Sequence, residues 1–252
     1  MTPPTAPVTD QLRLLEVQAL DTRLAQLLHR RRTLPEHAAL AELESRAASL
    51  RDRLVAAQMV AGDVAREAAR ADTEVELVRA RAQRNAARLA AGEGSAKDLQ
   101  ALQKDSEALA RRQSDLEDLE LEVMERQEEA QAAVTALEAE AAALDAERGD
   151  LLARRDAALV EIDAEGRQVQ AVRAGSVVGL DPALVALYDK VRAAEGGLGA
   201  APLVGDRCGG CRLQLTPVEL GRVRSAPPEA VVRCEECGRI LVRTPQGQGE
   251  VH

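Results

Sequence analysis

From Leu40 onward, apolar residues return in alternating steps of three and four. The first tract runs Leu40, Leu43, Ala47, Leu50, Leu54, Ala57, Ala61, Val64, Ala68, Ala71, Val75, Val78, Ala82, Asn85 and Leu89, and only Asn85 is polar. A second tract keeps the same steps from Leu99 to Val172 through 22 positions, 15 of them apolar. A 3-4 spacing sustained this long lays one apolar seam along a helix, so the two tracts predict two long coiled-coil helices. Between them lies Gly92-Glu93-Gly94-Ser95. The glycines end the first helix, and Ser95 with Asp98 three positions on has the form of a capping box for the second. The simplest topology is an antiparallel hairpin with its tip at 92–95, in which residue i faces roughly residue 187 − i. An intermolecular two-stranded coil would use the same seam, but the even division of the tracts by the glycine break favours the hairpin. At 1.5 Å per residue the stretch from Lys97 to Val172 would make a rod of roughly 110 Å.

The pattern outside the two tracts is shorter-ranged. A helix is predicted from about Thr9 to Thr33, with Val17, Leu20, Leu24, Leu27 and Leu34 as its stripe. Pro35 should kink its continuation, because proline lacks the amide the helix ladder needs. The second long helix should end near Gly175. Asp181-Pro182 then starts a helix to about Glu195 with Leu184, Leu187, Tyr188 and Val191 on one face, stopped by Gly196-Gly197. Tyr188 reads as a packing residue at this junction. Short β-prone stretches follow at Ala201–Val204, Arg212–Leu215, Val231–Arg233 and Ile240–Arg243. The expected organisation is therefore mainly α: a disordered 1–9, a long antiparallel coiled-coil hairpin over 10–175, a linker and short helix over 176–199, a small β-rich module over 200–245, and a disordered tail over 246–252.

Composition sharpens this picture. Tyr188 is the only aromatic residue in 252, while apolar residues make up 46% and charged residues 30%. Without aromatic side chains a thick globular core is hard to build, and this mixture is that of long helices. The net charge of −9 argues against a uniformly basic nucleic-acid binder. No apolar run approaches the ~18 residues of a membrane span, and the Pro/Thr-rich start lacks the basic and apolar regions of a signal peptide. The chain is expected to be cytoplasmic, with no membrane insertion.

All four cysteines fall in the β-rich module, as Cys208-Gly209-Gly210-Cys211 and Cys234-Glu235-Glu236-Cys237. Two C-x2-C turns can each place two thiolates at corners of a tetrahedron around zinc. Cys208, Cys211, Cys234 and Cys237 are the predicted ligands of one structural Zn²⁺, in a C4 zinc ribbon that needs this staple because its own apolar content is small. Gly209, Gly210 and Gly238 are read as the residues that let these turns bend. Iron uses the same ligand set, and C-x2-C also serves dithiol redox chemistry, although the βαβ context of such enzymes is missing. Disulfides are disfavoured in a cytosolic protein.

With these motifs in place the chain resembles a bacterial family that joins a long helical hairpin to a C4-type zinc ribbon. Lys97-Asp98-Leu99-Gln100-Ala101-Leu102-Gln103-Lys104-Asp105 is similar to the family's segment after the hairpin tip, and Cys234-Glu235-Glu236-Cys237-Gly238-Arg239-Ile240-Leu241 to its C-terminal signature. Leu20-Asp21, the Tyr188 helix and Gly196-Gly197 also stand where the resemblance leads one to expect them. Val242 departs from it, in a position often aromatic in relatives. The resemblance implies binding without enzymatic activity: chaperones or adaptors for an alternative sigma factor or for secretion components, with nucleic-acid binding by the ribbon also proposed.

Charge is distributed unevenly along the hairpin. Between Leu77 and Arg112 there are eight basic residues against four acidic ones, including Arg79, Arg81, Arg84, Arg88, Lys97 and Lys104; from Asp115 to Asp150 thirteen acids face two arginines. The tip cations, with Arg212 and Arg239 in the ribbon, are candidate contacts for an anionic partner. The ribbon has no aromatic platform for base stacking, so any nucleic-acid contact there would be arginine to phosphate. The histidines are His29, His37 and His252; His29 sits in the basic run His29-Arg30-Arg31-Arg32, as expected of a solvated face. No nucleophile elbow, phosphate loop or HExxH motif is present. The sequence reading is a non-enzymatic adaptor, monomeric or homodimeric, that presents a zinc ribbon to a protein partner of the transcription or secretion machinery, with a nucleic-acid-binding accessory factor as the alternative.

Overall fold

The structure is a computed structural model that describes residues 4–92 and 94–244. Glu93 and the tail predicted over 246–252 lie outside the described residues. The elements in chain order are α1 (Val8–Arg32), α2 (Pro35–Ala91), α3 (Ala96–Ser176), α4 (Pro182–Ala194), β1 (Ala200–Val204), β2 (Arg207–Cys208), α5 (Pro217–Ser225), β3 (Val232–Arg233) and β4 (Ile240–Arg243). The chain divides into two units: one is Ala38–Ala153, and the other combines the residues up to His37 with those from Arg154 onward.

The unit Ala38–Ala153 is an antiparallel helical hairpin. Leu43, Leu50, Leu144 and Leu151 pack together in its seam, flanked by Ala47, Leu137 and Ala141. At the tip, Gly92 and Gly94 hold φ of +68° and +122°, a region that costs residues with a Cβ. Ser95 and Asp98 form the predicted reciprocal cap: the Ser95 N–H donates to Asp98 Oδ2 at 3.0 Å, and the Asp98 N–H donates to Ser95 Oγ at 3.3 Å. Asn85, the one polar position of the first seam tract, is buried and donates to Asp105 Oδ2 at 2.7 Å. The 187 − i rule holds roughly in this unit: Leu43 and Leu144, and Leu50 and Leu137, which it sets opposite each other, share one seam cluster, and Arg81 pairs with Asp105 and Arg112 with Glu74. The long side chains of Arg79, Arg53 and Arg46 reach past the facing position to Glu117, Glu140 and Glu147.

The other unit differs most from the prediction. Residues 4–9 were predicted to be disordered; instead, Val231 N donates to the Pro4 carbonyl at 2.9 Å, Ala6 N donates to Glu229 O at 2.8 Å, and Ala6 is buried. Thr5 bridges Ala230 in antiparallel fashion, so this segment extends the strand region at 229–231. The helix expected over Thr9–Thr33 is α1, which ends at Arg32, before Pro35. The chain breaks at Thr33-Leu34, and Pro35 opens α2 in the first turn, where its missing amide is harmless. Leu34 is buried with Leu27 and Ile162. The stripe of α1 is also rotated from the expected one: Leu14, Val17, Gln18, Asp21 and Leu27 are buried, Leu20 and Leu24 only partly.

Leu14 and Val17 share one core with Leu180, Leu184 and Tyr188 from the α4 region and with Ala200, Ile240 and Val242 from the sheet. The stretch over 176–199, expected to be a linker and short helix, contributes to this core through both parts: Val177 and Leu180 before α4, and Leu184 and Tyr188 within it. Asp181 caps α4 as predicted, accepting from Ala183 and Leu184. The sheet runs β2-β1-β4-β3, with β1 parallel to β4 and the other neighbours antiparallel. Of the four predicted strands, Arg212–Leu215 is not one; only Gln214 makes a single bridge, to Arg207. An unpredicted helix, α5, follows it. Its start was legible: Thr216 and Glu219 form a capping box with Pro217 at the first helical position.

Candidate metal centre

Each cysteine pair sits at the end of a hairpin. Cys208 closes β2 after the turn at Gly205-Asp206, and Cys234–Cys237 form the connection between β3 and β4. The four Sγ atoms lie within 4.8 Å of one another. Cys208 Sγ is 3.8 Å from Cys237 Sγ, and Cys211 Sγ is 3.9 Å from Cys234 Sγ. Zinc–sulfur bonds of about 2.3 Å define a tetrahedron with edges of about 3.8 Å, so this sulfur spacing suits one ion at the centre. All four cysteines are free thiols, too far apart for the ~2.05 Å of a disulfide. The donor set and its geometry fit the zinc predicted from the spacing.

The backbone is folded to support thiolates. The amides of Cys211 and Gly210 point at Cys208 sulfur, and those of Cys237 and Glu236 at Cys234 sulfur. Burial nevertheless pushes the Cys208 thiol up, and drives Cys234 up to about 12. Cys237 moves the other way: burial opposes ionisation, but the backbone amide and guanidinium of Arg239, with the neighbouring thiols, hold it below the usual range. Such thiols need a cation to stay ionised together.

Two of the three glycines carry a packing demand besides the bend predicted for them. A Cβ on Gly209 would stand 2.9 Å from Pro202 O, and one on Gly210 would stand 2.8 Å from Arg239 Cδ, so both are demanded by close packing. The left-handed residue that ends each cysteine turn is Gly238 in the second, at φ +67°, and Arg212 in the first, at φ +66°.

Arg239, a candidate partner contact, is committed elsewhere. Its guanidinium donates to Leu198 O at 3.0 Å and to Glu195 O at 2.8 Å, tying the second cysteine turn to the end of α4. It is a structural clamp, because these half-buried carbonyls would otherwise lose their partners. Arg212 is exposed.

A family description, the CT398-like coiled coil hairpin domain, matches residues 17–196, and the C4-type zinc ribbon domain matches residues 207–241. The chain belongs to the CT398-like hairpin family. The Mycobacterium tuberculosis (strain H37Rv) protein Rv2229c, itself named as uncharacterized, is 41% identical over 241 residues, covering 94% of this chain and 97% of that one. A solved structure from Mycobacterium smegmatis is 38% identical, with a TM-score of 0.84 over 95% of this chain and all of its own. CT398 of Chlamydia trachomatis, at 18% identity, shares the fold with a TM-score of 0.64 over 94% of this chain and 98% of its own.

In this CT398-like hairpin the tip cations divide into two groups. Arg79 is paired with Glu117 at 2.8 Å and Glu76 at 3.2 Å, and Arg81 with Asp105. Arg84, Arg88, Lys97 and Lys104 are exposed and have no ion pair among the described residues. No helix of the described residues is long and apolar enough to cross a membrane.

The sequence reading missed a buried polar network beneath the ribbon. Asp21 is 2% exposed; it accepts from Tyr188 Oη at 2.8 Å and pairs with Arg173 Nε at 2.6 Å. Gln18 Oε1 accepts from the Gly199 N–H at 2.6 Å and from Tyr188 at 3.2 Å, while its amide donates to Gly197 O at 3.1 Å. Burial raises the Tyr188 phenol well above its usual range, and the Asp21 carboxylate adds to this. Arg192 Nε lies 3.4 Å from Asp21 without the alignment of a hydrogen bond. The available signal was Gln18 and Asp21 interrupting the apolar stripe of α1. Tyr188 does pack at the junction, fully buried, but it is also hydrogen-bonded.

Proposed function

We propose that this protein is a non-enzymatic adaptor in which a helical hairpin and one structural Zn²⁺ ribbon present a binding surface to a protein partner in the cytoplasm. The observation that carries the reading is the closed set of four thiols. An ion held by Cys208, Cys211, Cys234 and Cys237 has no open corner for water or substrate, which is the arrangement of structural rather than catalytic zinc. Free thiols in place of disulfides agree with a reducing compartment. Partners in transcription or secretion follow from the family resemblance alone.

A nucleic-acid-binding role is the second reading, favoured by the exposed Arg84, Arg88, Lys97 and Lys104. Salt separates the two. Capture from native lysate that survives nuclease treatment and 200 mM salt, and is lost in the Arg84→Glu/Arg88→Glu/Lys97→Glu variant, supports a protein partner. Phosphate contacts would instead give binding to a duplex oligonucleotide that collapses between ~50 and 200 mM salt. Native mass spectrometry should show one zinc per chain; turnover by the purified protein on a candidate substrate, or a redox-cycling disulfide, would overturn the reading.

A further inference from the structure

The outward face of α3 carries a pattern that the hairpin itself does not use. With Leu99, Ser106 and Gln113 on the seam, the positions furthest from it recur every seven residues, about 10.5 Å apart. They read Lys97, Lys104, Arg111, Asp118, Glu125 and then Ala132, Ala139 and Ala146. Three cations are followed by two anions and a run of alanines. Lys104, Arg111, Asp118 and Glu125 are all exposed, and none has an ion pair among the described residues, although six other ion pairs bridge α2 and α3 within the same unit.

This order of charge is self-complementary. A second α3 laid antiparallel on the first, with the two-fold axis between Arg111 and Asp118, sets Arg111 against Asp118 and Lys104 against Glu125. Two-fold symmetry repeats both pairs, giving four ion pairs from four residues. The same register brings Leu121, which is 59% exposed, beside the stem of the copy's Glu107, so an apolar contact flanks the charged one. One like-charge approach, Asp115 with its own copy beside the axis, opposes it. A parallel arrangement in register would set like charge on like charge at every step from Lys97 to Glu125.

We infer that this stripe of α3 is a homodimerisation surface whose partner is a second copy of the chain, packed antiparallel through Lys104, Arg111, Asp118 and Glu125. Exposed ion pairs are individually weak and screened by salt, so the dimer belongs to high protein concentration and low ionic strength. Arg84 and Arg88, on α2, are left to another partner.

The test is the mass of the full chain by sedimentation at ~100 μM protein. At ~30 mM salt the mass is expected to approach twice 26.9 kDa, returning to the single mass by ~500 mM. Lys104→Glu/Arg111→Glu should weaken dimerisation at least tenfold, as should Asp118→Lys/Glu125→Lys. The fourfold variant combining both should dimerise again, and the two double variants should form a heterodimer when mixed. Far-UV circular dichroism confirms that each variant keeps its helices. A monomer at every salt concentration, a dimer indifferent to these reversals, or a fourfold variant that stays monomeric would each overturn the inference. So would a wild-type monomer whose oligonucleotide binding is lost with Lys104 and Arg111, since the stripe would then serve a polyanion.

Discussion

Arg212 occupies a left-handed backbone position that Gly238 fills in the other cysteine turn. A Cβ in that conformation costs about 1–2 kcal/mol, part of which glycine gives back through its larger unfolded-state entropy. Arg212→Gly is therefore expected to stabilise the zinc-loaded ribbon by about 0.5–1 kcal/mol, read as slower modification of the four thiols by a thiol reagent, whereas Arg212→Ala should change little. The ligand set was legible in the sequence because C-x2-C spacing is local. The strain at Arg212 was not, since nothing in Gly-Gly-Cys-Arg announces φ. Asp21 and Gln18 escaped for a related reason. A carboxylate is buried only where its partners converge, and Arg173 and Tyr188 come from 150 or more residues away.

At the scale of elements, the hairpin tip is held by two carboxylates with lowered pKa. Hydrogen bonds from the Ser95 hydroxyl and amide hold Asp98 down, and the Asn85 amide followed by Arg81 does the same for Asp105. For a carboxyl lowered in the folded state, the contribution is complete above the unfolded pKa of about 3.9 and is lost as pH falls through the folded value. Helix melting followed at 222 nm should thus have a midpoint nearly flat from pH 7 to about 5 that falls below about pH 4. Asp98→Asn/Asp105→Asn should melt lower at pH 7 and show a shallower acid fall. Helices α2, α3 and α4 were legible from period, glycines and caps, because a helix satisfies its own backbone. Which charges pair across α2 and α3 was not, since the apolar period fixes the facing seam positions and leaves open how far a long arginine reaches. The segment at Arg212–Leu215 was misread as a strand because β-propensity reports packing more than intrinsic backbone preference.

For the whole molecule, the informative feature is where its two units divide. The ribbon shares a core with α1 and α4 through Leu14, Val17, Leu184, Tyr188, Ile240 and Val242, while Leu43 to Leu151 form a separate seam. Removing the metal with a chelator, or replacing Cys234 by Ser, is expected to loosen the ribbon together with part of α1 and α4. Amide exchange should rise at least tenfold at Leu14–Gln18 and Leu184–Tyr188 and stay unchanged at Leu43–Leu50. Uniform acceleration, or none outside the ribbon, would show that the shared core does not couple them.

The amino-acid sequence by itself determined what depends on neighbours along the chain: two seams in steps of three and four, a glycine break with its cap, and two thiol turns spaced for a tetrahedral ion. Only the tertiary structure decided that residues 4–6 add to the ribbon, that α1 belongs with α4 and the sheet, and that Arg239 is a clamp. Those outcomes rest on which surfaces meet across the fold, where burial and shared hydrogen bonds set the energy, and local periodicity carries no record of that meeting.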